Sequence, residues 1–302
     1  MNRPDFSALA VKKQVEAMGC ETFEIGMFNP AYQDKATGEI GERMELRTWS
    51  KETLLKDETI AHLKLKNMRG CNIYIRPAGE HGLTLMDDLK GSTIDQMKKL
   101  GFQPAAVVET SPNNFQAWLK HGQVLGKEVS TAAARLCAEK FEGDHGSADW
   151  RHFGRLAGFT NRKLKYQMES GHFPFVRLRE HTGHEYEQRK ELVQQAEDVI
   201  AKERAADQQR RVAWEGRPTT GERAGLKTIE DFRTDAKYGG DNTRVDLAYA
   251  TYAVSHGVPS HEIEGALANR DLSHKGSPRR QQEYIDRTIA KATERSRGGL
   301  SR

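Results

Sequence analysis

Apolar positions recur along this chain at two periods, and the change of period divides it. Phe6, Leu9, Val15 and Met18 fall at helical spacing and predict an amphipathic helix over Phe6–Met18. Residues 23–28 and 44–49 read as strands around a turn, because the intervening NPAYQDKATGEIGE is rich in breakers. The spacing then predicts a helix over 51–67 with Ser50 as its cap, and three strands at 72–76, 83–88 and 105–109. A fourth strand, 115–120, follows the SPNN turn; an Ala-rich helix over 128–141 points Leu136 and Phe141 inward, and 173–179 reads as a late strand.

Strands interleaved with helices predict an α+β sheet domain over 1–184. Residues 185–215 carry a long, mostly polar helical pattern with a thin apolar stripe (Leu192, Val193, Ala196, Ile200), as expected of a connecting helix. The breaker-rich WEGRPTTGERAG ends it. Short helical patterns at 228–237, 244–255, 260–267 and 281–295 predict a small helix bundle over 216–302.

Composition changes this picture little: 302 residues, 36% hydrophobic and 30% charged, suit one large or two modest domains with a well-solvated surface. No apolar run approaches the roughly 20 residues that span a bilayer, and MNRPDFSALAVKKQ lacks the apolar core of a secretory signal. Cys20, Cys71 and Cys137 stand singly, which fits a reducing cytoplasm and excludes a CxxC zinc site. The net charge of +4 says less than its distribution. Arg151, Arg155, Arg162, Lys163, Lys165, Arg177 and Arg179 face only Glu169 and Glu180 between residues 150 and 180, and the stretch from Arg270 is also basic. Such fields attract phosphates; a merely solvated face is the plain alternative.

Three local patterns carry chemistry. LTLMDD ends an apolar strand on Asp87 and Asp88, a costly adjacency unless a cation sits against it; the plain alternative is a turn or a helix cap. Mg²⁺ and Mn²⁺ prefer carboxylate oxygens, although neighbouring strand residues point to opposite faces unless the strand ends or bulges there. ETSPNNFQAW sets Asn114, Gln116 and Trp118 on one strand face, where amides can hold a phosphate, sugar or base edge and the ring can stack. The third pattern, GDHGSADWRHFGRLAGFTNRK, holds Asp144 and Asp149 and then a glycine-punctuated basic run with Arg155, Asn161 and Lys163. Read singly, the second is also an ordinary hairpin and the third a solvated loop.

In that order the three patterns resemble the RepB primases of IncQ-type plasmids, minimal members of the archaeo-eukaryotic primase superfamily. The likeness runs from about residue 19 to the C-terminus and is strongest over 72–163; YATYAVSHGVPSHEIEGAL is similar to the helical domain that follows such catalytic domains. The resemblance implies an archaeo-eukaryotic primase-like catalytic sheet domain, a long connecting helix and a C-terminal small helix bundle. It implies that Asp87, Asp88 and Asp144 coordinate Mg²⁺ or Mn²⁺, with Asp149 the rival for the third place. It implies nucleotide binding by Asn114, Gln116, Arg155, Asn161 and Lys163. Single-stranded template, with an origin hairpin, would meet Trp118, Trp150, Arg151, Phe159 and Arg162; a replication helicase or a mobilisation protein is the further partner expected. Two departures stand out: the superfamily commonly separates its first two acids by one residue, and commonly carries a His where this chain has Gln116, with His121 a less well placed substitute. The rival functions are a non-catalytic origin- or single-strand-binding protein and a nicking enzyme, the latter disfavoured because His181 and His184 find no third ligand.

Overall fold

The computed structural model describes residues 5–33, 40–215 and 225–298. It separates into two compact units, Met1–Ile200 and Ala201–Arg302. The first opens on α1 (Phe6–Met18), which Asp5 caps through the N–H groups of Ser7 and Ala8. Then follow β1 (Thr22–Gln33), β2 (Ile40–Ser50), α2 (Lys51–Leu54), α3 (Asp57–Met68), β3 (Asn72–Pro77), β4 (His81–Leu89) and α4 (Gly91–Lys99). The chain continues with β5 (Ala106–Ser111), β6 (Asn114–Leu125), α5 (Lys127–Phe141), β7 (Gly154–Arg155), β8 (Arg177–Glu180) and α6 (Arg189–Glu215), inside which the boundary between the units falls.

Two antiparallel four-stranded sheets result, ordered β2-β1-β3-β7 and β4-β6-β5-β8. Alternation decides what each face does. Phe23, Ile25 and Met27 of β1 and Ile73 and Ile75 of β3 point into one core with Val11, Val15 and Met18 of α1, Leu63 of α3, and Leu83, Leu85 and Trp118 of the second sheet. The second sheet's other face buries Met86, Val107, Ala117 and Leu119 under α4, α5 and the start of α6. The residues between these on β1 and β3 (Gly26, Tyr74, Arg76) lie on the opposite face of the first sheet.

Several expected boundaries move. The single helix expected over 51–67 is two, because Lys56 is extended (ψ 143°) and the Thr59 hydroxyl occupies the Thr53 carbonyl at 2.7 Å. β1 and β2 run into the breaker-rich segment, absorbing Pro30 near a register shift between Asn29 and Tyr32. The late strand is confined to β8, with Phe175 making only a bridge to Thr160. α4 had no periodic signal beyond Ile94 and Met97.

The two-residue β7 is short for its importance, and a buried glutamine holds it. Gln14 of α1, fully buried, donates to the Arg155 carbonyl at 3.0 Å and accepts from Ala157 N–H at 2.8 Å. Gln14→Leu should lower stability by about 1–3 kcal/mol for each of the two backbone groups it strands. A denaturant midpoint equal to wild type would contradict that role.

The second unit, beyond the end of α6, contains α7 (Ile229–Arg233), α8 (Asn242–Ser255), α9 (Ser260–Ala268) and α10 (Pro278–Gly298). The 228–237 segment is α7, closed by a Thr228–Asp231 capping box, and then a 3-10 turn at Ala236–Tyr238. Val245, Ala250, Ile263, Leu267, Ile285 and Ala292 form its core. Buried Asp246 is satisfied by Arg270 and by the Tyr284 hydroxyl at 2.6 Å. No helix among the described residues is long and apolar enough to cross a membrane.

Candidate active site

The acidic pair sits on a bulge. β4 loses register with β6 between Met86 and Leu89, and Asp88 adopts a left-handed φ of 60°. A bulge breaks the alternation that would send neighbouring side chains to opposite faces. Asp87 is half-buried and Asp88 exposed. The Asp87 carboxylate accepts from Asp88 N–H at 2.7 Å, and Asn114 at the start of β6 donates to Asp88.

The third acid arrives from α5. That helix ends on Glu142 (φ 53°); Gly143 follows, and Asp144 N–H donates to the Asp87 carbonyl at 3.2 Å. Asp144 and Asp87 are therefore backbone neighbours although 57 positions apart in sequence (144 − 87). Asp149 goes elsewhere: it accepts from Arg151 N–H at 2.7 Å and its charge acts on Arg76. Carboxylate oxygens are the donors that Mg²⁺ and Mn²⁺ take, so the donor types fit such an ion. Their side chains are spent locally, Asp144 on Gly146 N–H at 2.8 Å and Asp88 on Asn114. Among the described residues no group of three His, Cys, Asp or Glu side chains is placed to hold an ion. Asp88 and Asp144 are exposed, so their side chains have room to change rotamer.

Cations lie within electrostatic reach of Asp87. Its charge acts on Arg155, Lys163 and Tyr74. Arg155 is 3% exposed, and its guanidinium donates to Asn72 Oδ1 at 2.5 Å and Asn161 Oδ1 at 2.9 Å and lies 4.5 Å over the Tyr74 ring. Burial pulls its pKa below the ordinary arginine value, opposed by Tyr74 and Asp87. A buried cation held by neutral amides keeps its charge for something else. Desolvation, then Arg155 and Lys165, pull Lys163 below the usual lysine value.

Several expected contacts have other work. Gln116 is buried and accepts from Arg155 N–H at 2.7 Å, and Asn161, equally buried, clamps the guanidinium and donates to the Thr110 carbonyl at 2.8 Å. Both position Arg155, which is itself no more exposed than Gln116. Trp118 (1% exposed) and Phe159 (2%) belong to the first core and cannot stack on a base. Trp118 packs on Gly154, where a Cβ would lie 2.6 Å from the indole. Trp150 is half-buried between Lys127 and Arg151, each 5.4 Å from its ring. Arg162 lies over Phe173 and donates to the Met68 carbonyl at 2.7 Å.

His121 is a core residue. It bonds Thr84 Oγ1 at 2.8 Å and the Tyr186 hydroxyl at 2.9 Å, and burial pushes its pKa down to about 4. The unfolded chain takes up that proton near pH 6.5 and the folded one does not, so stability should fall as pH drops from about 6.5 toward 4, by up to about 3 kcal/mol. His81, also depressed by burial, adds to the slope. His121→Gln should flatten this slope in pH-dependent denaturation; an unaltered slope would contradict the assignment.

The residues that sequence reasoning missed are Asn72, Tyr74 and Arg76. Their signal was present: in NIYIR the polar and aromatic residues alternate with Ile73 and Ile75, which leaves a chemical face opposite the core.

Residues 52–207 match the family described as the RepB DNA-primase N-terminal domain. Mobilization protein A of Escherichia coli is 37% identical over 297 residues, 95% of this chain and 40% of that protein. A DNA primase of Acidithiobacillus ferrooxidans is 36% identical over 115 residues, 36% of this chain and 32% of that one. The chain thus spans well under half the length of either relative. Among solved structures, the catalytic domain of primase RepB′ in complex with initiator DNA superposes with a TM-score of 0.58 at 42% identity, covering 67% of this chain and 98% of that one. Primase RepB′ superposes with a TM-score of 0.60 at 35% identity, covering 98% and 99%.

Proposed function

This chain belongs to the RepB DNA-primase family, and on that premise we propose that it synthesises short primers on single-stranded plasmid origin DNA from nucleoside triphosphates. What supports the reading most is the hydrogen bond that joins the backbones of Asp144 and Asp87, with Arg155 and Lys163 within electrostatic reach of Asp87. Asp87, Asp88 and Asp144 would hold Mg²⁺ or Mn²⁺, whose chemistry is to acidify the attacking 3′-hydroxyl and to neutralise the leaving pyrophosphate.

The chain's own part is positioning and charge. Arg155 and Lys163 bind the triphosphate and stabilise the charge that grows on the β and γ phosphates as the new P–O bond forms at the α phosphorus and pyrophosphate departs. Gln116, Asn161 and Asn72 fix Arg155, so that little reorganisation is needed at the moment of reaction. Asn114 aims Asp88. All of these side chains belong to the first unit, where we place the chemistry. The solved relative that binds initiator DNA supports a DNA template here, and the helical unit would engage the first nucleotides.

Incubation of the protein with a single-stranded origin template, labelled nucleotides and Mg²⁺ or Mn²⁺ should yield short labelled products. Binding of the template with no incorporation under either ion would return the protein to the class of non-catalytic DNA-holding factors.

A further inference from the structure

The first sheet has one face in the core and one face that the catalytic account leaves almost unused. Register defines it. Tyr74 sits opposite Gly26 on one side and Arg155 on the other, and Arg76 sits opposite Glu24. Phe153, two residues before Arg155, joins the same face and meets Tyr74 edge-on at 6.5 Å between ring centres.

We infer that this face carries the single-stranded template away from the catalytic acids along three rings, Tyr74, Phe153 and Trp150, with the cations Arg151 and Lys127 at its far end. The inference rests on the primase reading and adds to it the route of the strand.

The contacts are continuous. Arg155 lies over Tyr74 at 4.5 Å; Tyr74 meets Phe153; the buried Arg76 guanidinium, paired with Glu24, lies 4.1 Å over Phe153, holds that ring in place and donates to the Arg151 carbonyl. Arg151 and Lys127 then flank Trp150. The rings are half-buried, so each is fixed in place with part of its surface still in solvent. A row of fixed rings with cations at its end suits a strand whose bases stack while its phosphates pair, and suits an apolar protein partner poorly. Paired bases would not reach such rings, which selects single strands over duplex.

The flank of the face adds a second, independent feature. Leu46 (41% exposed) pairs with Gly26, and Met44 (39% exposed) pairs with Phe28. Gly26 lets Met44 lie flat across the middle of the sheet: a Cβ there would lie 2.3 Å from Met44 Cε and 3.5 Å from Tyr74 Cβ. A glycine inside a strand marks a close approach, and a methionine lying over it is an adaptable floor for a base.

The test compares two oligonucleotides of about 12 units with the same phosphates, one of thymidylate and one abasic, by fluorescence anisotropy. Wild type should hold the thymidylate strand at least about tenfold more tightly. Trp150→Ala and Phe153→Ala should each remove about tenfold of affinity for thymidylate and leave the abasic strand unchanged, while Trp150→Phe retains binding. Lys127→Glu, at an exposed position and so without cost to the fold, should weaken both strands alike. Equal losses on both strands in the ring variants, no loss in any variant, or no preference in wild type would overturn the track. Wild type that discriminates the strands but makes no primer would sink the polymerase reading alone. Normal priming without discrimination would sink the track alone.

Discussion

Replacement of Asp87 by Asn should cut nucleotide incorporation by on the order of 1000-fold, with the melting midpoint and the affinity for single-stranded DNA held. Asp87 is the point on which the site's contacts meet. It shares a backbone hydrogen bond with Asp144, neighbours Asp88 on the bulge, and lies within electrostatic reach of Arg155 and Lys163. Asn is isosteric and keeps an oxygen for Asp88 N–H, so the local fold has no reason to change. A side chain of the same shape without the charge therefore separates chemistry from structure. Incorporation within a few fold of wild type would remove Asp87 from the catalytic centre.

Asn72→Asp should weaken triphosphate binding by on the order of 100-fold while leaving the protein as stable as before or more so. The opposed signs make it informative. Arg155 is buried against two amides, so its positive charge is not cancelled. A carboxylate in place of the Asn72 amide would sit at hydrogen-bond distance and form a buried ion pair. At an effective dielectric of about 20, a new negative charge roughly 5–6 Å from a phosphate costs about 3 kcal/mol of binding. The swap loses no hydrogen bond, because Asn72 Nδ2, buried, has no partner. The measurements are the KM for nucleotide and the thermal shift produced by tripolyphosphate. An unchanged KM would show that Arg155 does not receive the triphosphate.

The sequence made the site's chemistry more legible than its geometry. Acids on a strand end, a basic glycine-punctuated run and helical or alternating periods are local features, and the fold brings the residues they single out near one another. Ser50 capping α2 and the length of α1 were readable for the same reason. The bulge at Asp87–Asp88 was not readable, since nothing in LTLMDD announces a register shift; the objection that neighbours point apart was answered only by the backbone.

Burial was the harder property. Trp118 and Phe159 lie in polar, basic stretches that suggest exposed stacking faces, yet both are swallowed where the two sheets meet, with Gly154 making the room. Gln116 and Asn161 were legible as polar groups near the chemistry but not as supports for Arg155. A side chain's second neighbour is set by tertiary packing and leaves no periodic trace. Conversely, Tyr74 and Arg76 were hidden in an apolar-looking strand that only the alternation of NIYIR distinguishes.

Primer synthesis at this site requires the three acids to share a cation. Titration of the protein with Mn²⁺ in the presence of a nucleoside triphosphate, followed by electron paramagnetic resonance, tests this without requiring turnover. Asp87→Asn and Asp144→Asn should each lose the bound Mn²⁺ signal while Asp149→Asn keeps it; equal Mn²⁺ binding by wild type and Asp144→Asn would contradict the shared site.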